Sequence, residues 1–224
     1  MTMFTMTDGD WALQVFTSTV PGAPLIVLVT GAEDVSRVRE ALADAPAHTL
    51  AVLSGFDWER DLSPWAAAGL SKKAPPFAGG ADALLRALTE RLLPQAEARL
   101  AAPPRWRGIA GYSLGGLFAL YALYKSTAFS RAASMSGSLW FSGFQEYALT
   151  HTLCAQPSHI YLSLGDKEQK TRNLLMQTNP AVTQTLADHY TALGIITTYR
   201  HEVGNHFHDT SGRIARGLRW LLEM

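Results

Sequence analysis

Short apolar runs alternate along the chain with longer segments in which apolar residues recur every three or four positions. Compact runs rich in Val, Ile and Leu that end at turn residues are typical of buried strands in a parallel sheet. Four segments have this form, at 25–30, 49–53, 107–111 and 159–164. Each of them ends at or near a glycine.

Segments of helical periodicity lie between these runs, at 33–45, 81–100, 114–124, 181–193 and 210–222, and a further strand is predicted at 195–203. Pro94 is expected to kink or end the second helix. The third is apolar almost all round, which is typical of a helix packed directly on a sheet. The regular order of strand and helix predicts an α/β fold, with a doubly wound, mostly parallel sheet flanked by helices. Ligands are then expected at the carboxyl ends of the strands.

The segment 56–80 has no clear periodicity and contains Trp58, Trp65 and Phe77 among several prolines. Loops of this length in compact domains are usually functional or disordered. The aromatic content favours an ordered loop that contributes to a pocket.

Length and composition narrow the possible functions. The 224 residues suit one domain spanning 1–224, and 19 basic and 19 acidic residues give a net charge of zero, which disfavours nucleic acid and anionic membranes as partners. The only cysteine, Cys154, excludes an intramolecular disulfide, and the first residues lack a secretory pattern, so we expect a cytoplasmic protein. No apolar run approaches the roughly 20 residues needed to cross a bilayer.

The strongest chemical signal is the sequence GYSLGG at 111–116, which fits the pattern G-x-S-x-G between an apolar strand and an apolar helix. At such a turn the flanking residues must be glycine, because a Cβ would collide with the neighbouring strand or helix. The turn exposes the Ser113 hydroxyl as a nucleophile and places the Leu114 amide where it can stabilise an oxyanion. The alternative is an ordinary glycine-rich turn with an N-cap serine.

The base must follow both the serine and the acid in this arrangement, on a loop after a late strand. The sequence GNHFH at 204–208 meets that condition and offers His206 and His208. We prefer His206, because the preceding Gly-Asn pair supplies a tight turn. Together with Asp209 the two histidines could ligate zinc, but no third histidine or cysteine has a helpful spacing, so we predict no metal site.

Two carboxylates follow the strand at 159–164 and its terminal Gly165, and either can orient the histidine. Asp166 can equally cap the following turn, whereas Glu168 lies three residues beyond the glycine. We prefer Glu168, although the residues themselves leave both open.

These motifs resemble the putative-esterase family of α/β-hydrolases, which includes enterochelin esterases, S-formylglutathione hydrolases, feruloyl esterases and mycolyltransferases. Beyond GYSLGG, the resemblance rests on WERDLSPW at 58–65, FAGGAD at 77–82 and SMSGSLWF at 134–141. It covers most of the chain and implies the α/β-hydrolase fold. It also implies an acid three residues after a strand-terminal glycine, which favours Glu168, and it supports His206 as the base.

The sequence departs from the family pattern after its first core strand, where TGAE at 30–33 replaces the usual His-Gly or Asp-Gly. We assign the second oxyanion donor to the amide of Ala32, with Gly31 as the next choice. Trp140 and Trp58 are expected to wall the acyl or alcohol pocket, or simply to pack between loop and sheet.

Arg60, on the same loop as Trp58, has two possible roles. It can hold an anionic group of the substrate, or it can pair with Asp61 and stiffen the loop.

The predicted function is that of a serine hydrolase, an esterase or thioesterase that cleaves a small-molecule ester through an acyl-enzyme and needs no cofactor. An acyltransferase with the same triad is one alternative. The other is a catalytically silent binding protein, which a vacant triad position would favour. Each position has a candidate residue.

Overall fold

The computed structural model describes residues 2–71, 73–154 and 156–224. An eight-stranded sheet has the order β1-β2-β4-β3-β7-β8-β9-β10, and β5 pairs with β6 in a separate small ladder. The strands are β1 (Met3–Asp8), β2 (Trp11–Phe16), β3 (Leu25–Val29), β4 (Thr49–Ser54), β5 (Ala66–Ala67), β6 (Phe77–Ala78), β7 (Arg107–Tyr112), β8 (Arg131–Met135), β9 (His159–Gly165) and β10 (Ile196–Glu202).

Helices cover both faces of this sheet. They are α1 (Val35–Ala41), α2 (Trp58–Asp61), α3 (Ala81–Ala87), α4 (Leu93–Glu97), α5 (Leu114–Lys125), α6 (Phe144–Thr150), α7 (Leu174–Gln177), α8 (Asn179–Ala192) and α9 (Thr210–Glu223), with a 3-10 turn at Ala32–Asp34 and a π turn at Leu88–Leu92. The predicted α/β class and mostly parallel sheet are confirmed. Among the described residues no helix is long and apolar enough to cross a membrane.

The parallel part of the sheet runs from β4 through β3, β7, β8 and β9 to β10. The prediction that strand and helix alternate throughout is wrong at the N-terminus, where β1 and β2 form an antiparallel hairpin that adds to β4. The hairpin turns at Gly9, whose φ of +61° favours glycine. Strand β1 lies at the sheet edge with only Met6 buried, so it lacks the continuous apolar run of a buried strand.

The helix predicted at 81–100 is interrupted rather than simply kinked at Pro94. A π turn separates α3 from α4 and places Pro94 in the first turn of α4. The wider turn accommodates a residue that has no N–H and whose ring would clash with the preceding helical turn.

The two faces of the sheet carry separate apolar layers. Helix α5 is buried from Leu114 to Tyr124 and packs on β7 and β8, as its uniformly apolar sequence predicts. Helix α9 packs on the opposite face against β7, β8, β9 and α1. The loops after β7, β9 and β10 therefore meet at the carboxyl edge of the parallel strands.

Candidate active site

Ser113 occupies a sharp turn between β7 and α5. Its φ of 57° and ψ of −124° are strained for a residue with a side chain, a condition that often marks functional sites. A Cβ at Gly111 would overlap the carbonyl group of Gly115, and a Cβ at Gly115 would overlap the carbonyl oxygen of Val29 in β3. Both glycines are therefore required for strand and helix to approach each other at the turn.

His206 lies on the loop after β10 and reaches Ser113. Its Nε2 is 3.0 Å from the Ser113 hydroxyl oxygen, and its Nδ1 is 2.8 Å from Oε2 of Glu168. The Tyr112 hydroxyl donates a hydrogen bond of 2.6 Å to the His206 carbonyl and so fixes the loop. Gly204, with a φ of +98°, forms the expected turn, and the His208 ring lies over that glycine.

The carboxylate of Glu168 is held from both sides, and only 5% of the side chain is exposed. Its Oε1 accepts hydrogen bonds from the Gly165 amide at 2.7 Å, the Ser136 hydroxyl at 2.8 Å and the Arg213 guanidinium at 2.8 Å. Burial raises the pKa of the Glu168 carboxyl. The hydrogen bond and charge of His206, with the amide and hydroxyl donors on Oε1, outweigh burial and hold this pKa below its ordinary value.

The depressed pKa links Glu168 to stability. An ionised carboxylate whose folded-state pKa lies below its unfolded pKa stabilises the fold at pH above the unfolded pKa, and this stabilisation is lost as the pH falls through the folded value.

Asp166, the alternative acid, has a different position. It is exposed, and its Oδ1 accepts a hydrogen bond of 2.8 Å from the Gly204 amide. Asp166 therefore braces the turn that precedes His206, while Glu168 contacts the imidazole itself.

Arg213 is the residue of this cluster that sequence reasoning missed. It is fully buried on α9, and its guanidinium contacts Glu168, Ser136 and the carbonyl oxygens of Val203 and Asn205. The sequence does carry a signal, because Arg213 occupies the apolar face of α9, a position where arginine is rare unless it is paired. Across the described ranges, no three His, Cys, Asp or Glu side chains come together as metal ligands.

A cavity of about 390 Å³ opens above Ser113. The predicted pocket residues Trp58 and Trp140 both line it, and Trp140 packs on Phe77 with ring centroids 6.4 Å apart. The full lining consists of Thr30, Gly31, Glu33, Asp34, Trp58, Glu59, Leu70, Phe77, Tyr112, Ser113, Leu114, Ser138, Trp140, Met176, His206, Phe207 and Thr210. Within the described part of the chain this lining contains three carboxylates and neither lysine nor arginine.

The two predicted oxyanion donors are placed differently. Leu114 begins α5 and lines the cavity, as does Gly31. Ala32 begins the 3-10 turn and lies in the lining of a neighbouring, smaller cavity. The carboxylate of Glu33 folds back over Gly31.

Arg60 forms an ion pair with Asp61 and is not among the described residues that line the cavity. Its guanidinium donates two hydrogen bonds of 2.8 Å to the carboxylate of Asp61, which also accepts from the Asp57 amide and from the Trp11 ring nitrogen. The pair joins the loop to β2, as the stiffening alternative for Arg60 predicts.

Sequence comparison identifies the family. Residues 43–212, more than half of the chain, match the family described as putative esterase. The chain belongs to the putative-esterase family. The resemblance inferred from the sequence motifs is thus confirmed.

One curated relative matches part of the chain by sequence. A protein from Bacillus subtilis (strain 168) named uncharacterized protein YbbA is 30% identical over 132 residues, which cover 56% of this chain and 53% of that protein. The match therefore spans about half the length of this curated relative.

Solved structures extend the comparison. The siderophore hydrolase EstA from Aspergillus nidulans is 19% identical with a TM-score of 0.79, covering 99% of this chain and 94% of its own. An IroE-like serine hydrolase from Shewanella oneidensis is 18% identical with a TM-score of 0.76, covering 95% and 76%. The enterobactin esterase FES from Shigella flexneri is 18% identical with a TM-score of 0.71, covering 99% and 59%. These likenesses show the fold of the putative esterase.

Proposed function

We propose that this putative esterase is a serine hydrolase that cleaves a small-molecule ester or thioester through an acyl-enzyme on Ser113. The observation that carries the proposal is the unbroken line of contacts from the Ser113 hydroxyl through His206 to Glu168, at 3.0 and 2.8 Å. This is the order and reach that nucleophile, base and acid require.

The reaction follows from the chemistry of these groups. Ser113 Oγ attacks the carbonyl carbon while His206 Nε2 accepts its proton, and Glu168 fixes the tautomer of the imidazole and stabilises the imidazolium. The oxyanion accepts hydrogen bonds from the amide of Leu114 and from that of Ala32, with Gly31 as the alternative supported by its place in the cavity lining. His206 then protonates the leaving alcohol or thiol, and water activated by His206 releases the acid.

The cavity lining supports a substrate with an apolar portion. Trp58 and Trp140 remain the proposed walls, with Phe77 and Met176 contributing further apolar surface. Arg60 stays a proposed contact for an anionic group of the substrate: two of its guanidinium nitrogens bind Asp61, while 56% of the side chain is exposed outside the cavity lining of the described residues.

The first experiment measures the release of 4-nitrophenol from 4-nitrophenyl butyrate. We expect a burst of one equivalent per enzyme followed by steady turnover, because the activated aryl ester acylates Ser113 faster than water cleaves the acyl-enzyme. No release at all would favour the silent binding protein. Release that accelerates with an added alcohol and yields the new ester would instead identify an acyltransferase.

The acid is tested by paired substitutions. Glu168→Gln is expected to lower kcat at least about a hundredfold, because the amide no longer stabilises the imidazolium or enforces the correct tautomer. Asp166→Asn is the matched control and should keep kcat within about threefold, since an amide oxygen can still accept the hydrogen bond from Gly204. Steady-state kinetics of both variants decide the question, and a larger loss for Asp166→Asn would reverse the assignment.

Cavity charge gives a further prediction. Because Glu33, Asp34 and Glu59 line the cavity without a neighbouring lysine or arginine among the described lining residues, we expect cationic acyl groups to be preferred over anionic ones. At low salt, kcat/KM should be at least about tenfold higher for a 4-nitrophenyl ester whose acyl chain ends in trimethylammonium than for one of equal length ending in carboxylate.

The charge effect has its own controls. Glu59→Gln should lower the ratio of kcat/KM for the cationic ester to kcat/KM for the anionic ester, and added salt should do the same. Glu90→Gln, at an exposed position outside the cavity lining, should leave this ratio unchanged. Equal rates for both esters at low salt would rule out charge selection.

A further inference from the structure

The guanidinium of Arg213 joins the acid to the loop that carries the base. Its Nη1 lies 2.8 Å from Oε1 of Glu168, and its Nη2 donates to the carbonyl oxygens of Val203 at 2.8 Å and Asn205 at 3.0 Å. We propose that Arg213 is the positioning residue of the Glu168–His206 pair. This inference rests on the proposed function.

The first argument is burial. None of the Arg213 side chain is exposed, and a cation removed from water is tolerated only when it is paired and hydrogen-bonded. Its ion-pair partner is Glu168, which itself contacts His206. Across the described residues Nε has no hydrogen-bond partner, so the two terminal nitrogens make the contacts that hold the group. The buried charge is thus directed at the acid.

The second argument is that the two carboxylate oxygens of Glu168 have different hydrogen-bond partners. Oε1 receives Arg213, the Ser136 hydroxyl and the Gly165 amide, while Oε2 faces His206. Arg213 also donates to Ser136 at 2.8 Å, so the two side-chain donors on Oε1 are tied to each other. A carboxylate held by three donors at one oxygen cannot rotate, and the other oxygen stays aligned with the imidazole.

The third argument is the loop itself. The carbonyls of Val203 and Asn205 flank the turn that presents His206, and α9 carries Arg213 only a few residues later. Gly165 leaves the required space, because a Cβ there would approach both the guanidinium and the Glu168 carboxylate. One side chain therefore sets the distance between acid and base.

Arg213→Met should accordingly lower kcat about tenfold to a hundredfold with little change in KM, the range found when the groups that orient a reacting ligand are removed. The acidic limb of the kcat/KM profile should also move to higher pH, because a buried cation no longer opposes protonation of Glu168. Among the described residues, the charged or titratable groups that act on Glu168 include His206, Arg213, Tyr112 and Tyr199.

A double-mutant cycle with Glu168→Ala tests whether Arg213 acts through the acid. In the Glu168→Ala background, Arg213→Met should change kcat less than threefold, whereas it should cost at least tenfold in the wild type. Compared with Arg213→Met, Arg213→Lys should restore part of kcat and move the acidic limb part of the way back toward its wild-type pH. If the methionine variant does not fold, the lysine variant still tests the proposal.

Arg216→Met, on the same helix, is the control. It removes ion pairs with Glu202 and Asp209 and should leave the pH profile unchanged. Equal losses from Arg213→Met with and without Glu168, or an unmoved acidic limb, would overturn the positioning role. Retention of full activity in Ser113→Ala would instead overturn the proposed function on which it rests.

Discussion

Replacing Ser113 with alanine should lower kcat for ester hydrolysis by about 10⁴-fold or more, because the hydroxyl proposed to form the acyl-enzyme is removed. His206→Ala should cost a similar factor, since the hydroxyl then loses its base. The double variant should be hardly worse than either single variant, because nucleophile and base act as one unit. Steady-state hydrolysis of 4-nitrophenyl butyrate measures all three losses.

Ser138→Ala is the matched control for this prediction. Its hydroxyl oxygen lies 3.4 Å from that of Ser113 and lines the same cavity, but the hydroxyl oxygen that His206 Nε2 meets at 3.0 Å is that of Ser113. We expect Ser138→Ala to keep kcat within about tenfold. Loss of activity in Ser138→Ala together with full activity in Ser113→Ala would identify Ser138, and not Ser113, as the nucleophile.

The second large effect concerns the turn that presents the nucleophile. Gly115→Ala should destabilise the protein by about 3 kcal/mol or more, or prevent folding, because the added Cβ meets the carbonyl oxygen of Val29. That oxygen belongs to β3, so relief requires α5 to move away from the sheet. Urea unfolding followed by circular dichroism measures the free energy of unfolding.

Gly212→Ala provides the comparison for this effect. The atoms nearest to a Cβ at Gly212 belong to the carboxylate of Asp209, a side chain that can rotate away, so the expected change in unfolding free energy is within about 1 kcal/mol. Equal stability of both alanine variants would contradict the close approach of helix and sheet at the nucleophile turn.

The fold was predictable where burial leaves a local trace. Central strands such as β3 are buried at every position and appear as continuous apolar runs. Strand β8 is also almost entirely buried, yet its sequence RAASM contains mainly small residues, so its bounds could not be predicted from an apolar run. In the edge strand β1 only Met6 is buried, so its pairing with β2 leaves no such run.

Some residues of the candidate site could likewise be predicted from the sequence, and others depend on the folded structure. The GYSLGG motif pointed to Ser113, and chain order narrowed the candidate base to His206 and His208, between which the preceding Gly-Asn turn favoured His206. Asp166 and Glu168 follow the same strand, and only the turn geometry sends one to Gly204 and the other to His206. Arg213 follows His206 by only a few residues, but its contact with Glu168 depends on how α9 places its side chain against the loop and the acid.

Reaction with a fluorophosphonate, followed by mass spectrometry of the intact protein and its peptides, tests the central claim most directly. The expected result is one adduct, located on Ser113, absent from Ser113→Ala and formed much more slowly in His206→Ala, because only a serine activated by its base attacks the phosphorus. An adduct of unchanged stoichiometry on Ser113→Ala, or no adduct on the folded wild-type protein, would contradict the assignment of Ser113 as the nucleophile.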